Sequence, residues 1–401
     1  MEKGKGTALP FFFFIWCLMK RSLLIIFLAA LTLVSCGRTG TKSTGKSTGN
    51  TSEKTSEKKE DYSDMSDDEL EVASYDGDGK AAITLGQRFD YGENDESQDF
   101  SKAFKWYTKA SELGESRAYV YLGYLYMNGL GCDKSLDTAA ANFNKAIALG
   151  DNEGYSGLGR MYFLNRDLTD AESNCYYNVR RASDAGSVMG KYLLARLYEE
   201  GYGVGQNLEE ARKLYKENAD KSFNGISLYN TYPYTESAVR LGILYAGQDS
   251  SSDEKKECMQ YFNKAAQKGS AEGCYYCGAV LQSGTGTDKD YNEAIKYYSK
   301  SAEMGYAPAI NQMGYIYFNG YGVDQSVSRA EYYFKLAAAQ GYAPSQINLG
   351  YIYENGIGEA VNLDLAKQYY QLAQAQNFSG AEEAVTRVDT LINTTNSVSE
   401  N

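Results

Sequence analysis

The strongest constraint on this chain is its periodicity. A large apolar residue followed by a small one recurs at Leu85-Gly86, Leu122-Gly123, Leu158-Gly159, Leu194-Ala195, Leu241-Gly242, Cys277-Gly278, Met313-Gly314 and Leu349-Gly350. The small residues are separated by 37, 36, 36, 47, 36, 36 and 36 positions. A second marker (Gly114, Gly150, Gly186, Ser222, Gly269, Gly305, Gly341 and Asn377) recurs at 36, 36, 36, 47, 36, 36 and 36. The two series agree both in period and in the place of the long step. The 401 residues therefore hold eight repeats over 80–378, with an insertion near 223–236, and not the two or three globules of roughly 100–200 residues that length alone suggests.

Within a repeat the apolar spacing is helical. In the seventh, Ala309, Met313, Ile316 and Tyr317 share one face, and after a loop Ala330, Tyr333, Phe334, Ala337 and Ala338 repeat the pattern. Each repeat is expected to be a helical hairpin. Gly-x-Gly pairs at 129/131, 201/203, 284/286, 320/322 and 356/358 stand between the two helices, where the first glycine suits a left-handed C-cap. A glycine inside the first helix costs up to about 1 kcal/mol and implies close helix approach. The tyrosines three residues later (Tyr126, Tyr162, Tyr198, Tyr245, Tyr317 and Tyr353) are expected to fill the space beside it. One hairpin cannot bury such a face, whereas a stack of them can.

These residues resemble the Sel-one-like repeat, a relative of the tetratricopeptide repeat, with its pattern A-x-x-x-L-G-x-x-Y-x-x-G-x-G-V and A-x-x-Y-Y-x-x-A-A-x-x-G. Ala309 to Gly341 matches almost throughout, with Gly320-Tyr321-Gly322-Val323 in the loop. The resemblance implies an all-α, right-handed α-solenoid of about eight helical hairpins, whose members mostly serve as adaptors for protein complexes. Asn165-Arg166 and Gln248-Asp249 replace the glycine loop in the third and fifth repeats and, with the insertion, suggest an elaborated surface there.

The N-terminus is expected to address the protein. Lys20 and Arg21 precede the apolar run Leu23 to Val34, which is too short for a membrane span of about 20 residues but suits a signal-peptide core. The run ends in Leu33-Val34-Ser35-Cys36, which resembles the bacterial lipobox and implies lipidation of Cys36. Residues 1–35 thus read as a lipoprotein signal, with Met19 as its start, and place the protein in the bacterial cell envelope at the outer membrane. Residues 36–79, rich in Thr, Ser, Gly and Lys and then acidic, hold too few apolar residues to offset ordering entropy and are expected to be a disordered tether. At the other end, 379–392 is expected to be a capping helix and 393–401 a disordered tail.

Composition removes several chemistries. The chain contains no His, so Ser-His-Asp triads, zinc sites with imidazole ligands and haem on a proximal His are excluded. A net charge of −12 disfavours nucleic acid as a partner. Cys274-Tyr-Tyr-Cys277 looks like a redox or metal pair, but Cys277 holds the buried Leu position of the motif, and zinc would need a further ligand. Packing as a small hydrophobe is the better reading, with a Cys258-Cys277 disulfide as the alternative in an oxidising compartment. Asp76-Gly-Asp78-Gly and Asp288-Lys-Asp290-Tyr-Asn292 lack the central Gly and spaced Glu of a calcium loop. No cofactor or metal site emerges.

What remains is the non-core face of the first helices. Positions one and five after the small residue lie one turn apart on the same side: Tyr124/Asn128, Arg196/Glu200, Ala279/Ser283, Tyr315/Asn319 and Tyr351/Asn355. Stacking would align them as a ladder. Exposed Tyr and Asn suit a binding surface, although the tyrosines would equally cover neighbouring apolar side chains. The expectation is a lipid-anchored adaptor for a protein or extended peptide, with a cell-wall or β-lactam enzyme and a surface adhesin as rivals.

Overall fold

The computed structural model describes residues 62–92, 98–221 and 228–399. The expected signal sequence, Cys36 and the tether up to residue 61 lie outside the described residues, as do 222–227 of the insertion and 400–401 of the tail. Among the described residues there are eighteen α-helices and no strands. They fall into two compact units, one ending at Gly247 and the other beginning at Gln248.

The first unit opens with α1 (Asp67–Tyr75). Four hairpins follow: α2 (Gly79–Tyr91) with α3 (Phe100–Glu112), α4 (Ser116–Asn128) with α5 (Leu136–Ala148), α6 (Glu153–Leu164) with α7 (Ala171–Asp184), and α8 (Val188–Glu200) with α9 (Leu208–Ala219). It closes with α10 (Leu228–Ala246), the first helix of the fifth repeat. Each helix packs on the next, and the first helices also pack on one another, α4 on α6, α6 on α8 and α8 on α10. The second unit runs from α11 (Ser252–Gln267) through the hairpins α12 (Ala271–Ser283) with α13 (Tyr291–Glu303), α14 (Ala307–Asn319) with α15 (Val327–Ala339), and α16 (Ala343–Asn355) with α17 (Leu363–Gln374), to α18 (Ala381–Ser399). Consecutive helices again pack pairwise.

Local chemistry fixes these boundaries. The second helix of a hairpin begins at Asp99, Ser135, Asn207, Asp290, Ser326 or Asn362, whose side chains accept hydrogen bonds from first-turn N–H groups. The first helix ends on the first loop glycine, as at Gly320 with φ +71°. The second loop glycine serves a contact between repeats. A Cβ on Gly203 would stand 2.7 Å from the carbonyl oxygen of Glu172, at the start of the preceding repeat's second helix. Gly131 against Phe100 and Gly286 against Lys255 repeat this contact. The Gly-x-Gly loop is thus both a cap and a joint between neighbours.

The small residue inside the first helix does mark a close approach, but its partner differs from the expected one. The ring over it comes from the second helix: Tyr107 on Gly86, Phe143 on Gly123, Tyr298 on Gly278, Phe334 on Gly314 and Tyr370 on Gly350. Tyr317 and Tyr353, three residues past the glycine, instead stack on Tyr333 and Tyr369 at 5.6 and 5.8 Å.

Order extends further at both ends than expected. Residues 62–79, assigned to the tether, contain a 3-10 turn at Tyr62–Asp64 and the nine-residue α1. Ser66 and Glu69 form a reciprocal capping box, and Leu70 is fully buried beside Trp106 in the first core cluster. Arg88, itself buried, pairs with Asp67 at 2.6 Å. Asp78 caps α2 and does not open a calcium loop. The C-terminal helix likewise continues past 392, to Ser399. The Tyr232-Pro233-Tyr234 part of the insertion lies within α10.

Candidate functional site

The face carried by the first helices was expected to present a Tyr/Asn ladder, and the structure divides that ladder. Asn128, Asn319 and Asn355 donate their side-chain amides to the carbonyls of Tyr124, Tyr315 and Tyr351 at 2.8, 2.8 and 2.9 Å. They close the last helical turn and do not reach outward. Tyr315 is 9% exposed and packs in the core beside Tyr321, so it belongs to the interior. Tyr351 is half-buried and Ser283 donates to the Val280 carbonyl at 3.2 Å. In this half of the ladder the covering and capping roles prevail.

The charged half is a network. Glu200 is held by Arg196 from its own helix and by Arg166 from the loop of the preceding hairpin. Burial pushes its carboxyl up, but the two guanidinium groups together hold it below the usual carboxylate range. Arg166 also lies over the rings of Phe163 and Tyr202 at 4.8 and 4.4 Å. The residues that replace the glycine loop in the third repeat therefore supply a clamp on the fourth.

The same face contains one residue that the ladder omitted. Arg160 follows Gly159 and so holds position one in the third repeat, a place the register alone identifies. Its guanidinium lies over the rings of Tyr124 and Tyr232, 5.7 and 5.6 Å from their centroids.

Beneath this face runs a pairing that repeats. In hairpins one, four, six and eight the tyrosine at this place in the second helix donates its hydroxyl to the side chain four positions after the small residue. The pairs are Tyr107 to Asp90 at 3.0 Å, and Tyr215 to Glu199, Tyr298 to Gln282 and Tyr370 to Glu354 at 2.7 Å each. Where the ring is Phe143 or Phe334, that position is Met127 or Phe318; where a methyl of Val179 takes the ring's place, it is Phe163. A hydroxyl is present only where an acceptor faces it, because an unpaired buried hydroxyl costs about 1–3 kcal/mol. Three of the acceptors also take a donor from the helix two places further on: Glu199 from Arg240, Gln282 from Gln312 at 2.9 Å, and Glu354 from Arg387 at 2.7 Å.

Asp90 lacks that second donor. Among the described residues its Oδ1 has no hydrogen-bond partner, and burial pushes its pKa up to about 6 although Tyr107 opposes the shift. A carboxyl raised in the folded state above an unfolded value of about 3.9 stabilises the fold fully below pH 4 and loses that contribution as pH rises through about 6. The contribution of Asp90 to stability is therefore expected to fall between pH 4 and pH 6.5, by up to about 3 kcal/mol, and to appear as the difference between the urea-midpoint profiles of the wild-type chain and Asp90→Asn. Identical slopes in the two would remove Asp90 as its origin.

The five cysteines of the described residues are free thiols. Cys258 and Cys277, for which a disulfide was the alternative to packing, are fully buried, and Cys258 donates to the Lys255 carbonyl at 3.0 Å. Burial raises the Cys258 thiol to about 11 and the Cys277 thiol to about 12, which suits packing and not nucleophilic chemistry. Among the described residues no three Cys, Asp or Glu side chains are grouped to hold a metal ion.

Hairpins capped by glycine, joined through glycine and stacked face to face define a helical-repeat protein of the α-solenoid class. The Sel1 repeat family matches residues 79–115, 116–151, 188–222, 235–270, 271–306, 307–342 and 343–378, more than half of the chain, which belongs to that family. The unmatched stretch includes the third repeat, whose loop lacks the glycines, although α6 and α7 pack as a hairpin there too. A solved protective antigen of uropathogenic Escherichia coli with an SLR fold is 25% identical, with a TM-score of 0.53 over 81% of this chain and 67% of that one. A Sel1 repeat protein from Oxalobacter formigenes is 23% identical, with a TM-score of 0.52 over 80% of this chain and 90% of that one. A chitin synthase regulator of Saccharomyces cerevisiae is 29% identical over 126 residues, 30% of this chain and only 18% of the regulator. Repeats of this family generally act as scaffolds for protein–protein interaction.

Proposed function

We propose that this protein is a lipid-anchored, non-catalytic scaffold of the bacterial cell envelope, holding a protein partner on its first-helix face. The observation that carries the anchoring is the ordered series Lys20-Arg21, the apolar run to Val34, and Ser35-Cys36, followed by a polar tract. The absence of His and the net charge of −12 support binding of protein over catalysis or nucleic acid.

Metabolic labelling with palmitate tests the anchor. Label is expected in the membrane fraction of cells expressing the wild-type chain and absent for Cys36→Ala; equal labelling of both would end the lipoprotein reading. The scaffold role predicts a stoichiometric partner in crosslinked, detergent-solubilised envelopes. The likeness to a protective antigen favours display on the outer surface as a second reading of its orientation. Protease shaving of intact cells decides that point: loss of the repeat domain means surface display, and protection means a periplasmic face.

A further inference from the structure

Four arginines on the first-helix side of the first unit are matched by carboxylates. Arg117 pairs with Asp151 at 2.6 Å, Arg166 and Arg196 with Glu200, and Arg240 with Glu199. Arg160 differs from all four. Among the described residues no carboxylate, carbonyl or amide accepts from its guanidinium, and the contacts it makes are with the faces of Tyr124 and Tyr232. Arg160 as a residue is half-buried.

Its surroundings hold it in place. Phe143 closes over Gly157, one turn before Arg160, and takes the edge of Tyr124 at 5.2 Å and 69°. Tyr124 is thus fixed by the core, and it fixes one side of the arginine. The second ring, Tyr232, stands edge-on to Tyr192 at 5.8 Å and 82°. One turn beyond Arg160 is Leu164, 38% exposed, where other repeats carry an Asn that folds back on the helix. A guanidinium has five donors in a planar fork that matches a carboxylate, and stacking on two rings leaves the fork's edge open while restricting its rotation. It is ordered before any ligand arrives, which lowers the entropy lost on binding.

We infer that Arg160, flanked by Tyr124, Tyr232 and Leu164, is a binding site for one Asp or Glu side chain of an extended partner segment. Charge complementarity selects this occupant: the site offers a single unmatched cation in a chain of net charge −12, which suits one carboxylate and repels a polyanion. The tyrosine rings and Leu164 suit apolar residues beside that carboxylate. The inference rests on the scaffold reading and specifies the chemistry of its partner.

The test uses the purified full chain, immobilised in detergent, and three pools of seven-residue peptides, acetylated and amidated at their ends. The central residue is fixed as Glu, Gln or Lys, the flanking residues are mixed, and retained peptide is counted by mass spectrometry. The Glu-centred pool is expected to be retained at least tenfold over the Gln- and Lys-centred pools. Arg160→Gln should abolish that preference while leaving the thermal melt within a few degrees of wild type. Arg160→Lys, which keeps the charge without the fork, should keep part of it, and Arg180→Gln, in a surface pair with Asp184, should keep all of it. Equal retention of Glu and Gln pools, or a preference that survives Arg160→Gln, overturns the carboxylate site and leaves the scaffold intact. Failure to retain any pool overturns both.

Discussion

Replacing Glu199 by Met is expected to destabilise the first unit by about 3 kcal/mol, and adding Tyr215→Phe and Arg240→Leu is expected to recover most of that loss. Glu199 and Arg240 are 12% and 17% exposed, and the fully buried Tyr215 donates its hydroxyl to the same carboxylate. Removing the carboxylate leaves a cation and a hydroxyl without partners in a region poor in water. Desolvation then acts with nothing to offset it, whereas the triple variant removes all three polar groups together. The second repeat already carries the apolar solution, with Met127 and Phe143 in the matching places. Urea unfolding followed by far-ultraviolet circular dichroism, with hydrogen exchange localised to α8–α10, measures both variants. A single variant within 1 kcal/mol of wild type, or a triple variant no better than the single one, would show that the three groups are not coupled.

Gly286→Ala in the second unit is expected to cost about 2–5 kcal/mol, more than Gly269→Ala. Both glycines have positive φ, +69° and +87°, where a Cβ is disfavoured by about 1–2 kcal/mol. Gly269 has open space around the missing Cβ, so only that strain applies. At Gly286 a Cβ would run into the backbone of Lys255, the joint with the preceding repeat, and backbone cannot rotate away as a side chain can. The overpacking adds about 1–3 kcal/mol. Thermal melts of the two variants compared side by side test this, and equal losses would argue against a joint at the second loop glycine.

Much of the fold was legible because the repeat is self-referential: eight copies in two registers reveal hairpins, loops and caps that one copy would leave ambiguous. Other features depend on contacts that no period displays. The ring over Gly314 comes from Phe334 rather than from Tyr317, a choice made by the approach of two helices and not by spacing along one. The asparagines of the ladder share a face with their tyrosines, as the spacing requires, yet three of them turn back to the helix carbonyls. Helical periodicity specifies a side, not the destination of an amide. Two further features were written in the sequence in plain form. Ser66-x-x-Glu69 before Leu70 is a capping box inside a stretch that composition alone marks as unstructured. Arg160 lies in register with Tyr124 and Arg196, but in a repeat whose irregular loop departs from the glycine pattern that defines the others.

The pairing of Arg387 with Glu354 has a consequence for how such an array can evolve. Genes with tandem repeats gain and lose units readily, and every hairpin here has nearly the same backbone. The C-terminal helix, however, docks on the eighth unit with its Arg387 paired to the eighth unit's Glu354. Were the eighth unit deleted in frame, α18 would meet the seventh, which offers Phe318 at that place. The guanidinium, half-exposed at its present place, would keep its water and could lie over that ring, but it would lose the carboxylate that now pairs with it. The last interface thus carries a mark of the unit it was built on, and a chain of seven units would close its end at a cost of no more than about 1 kcal/mol from this pair.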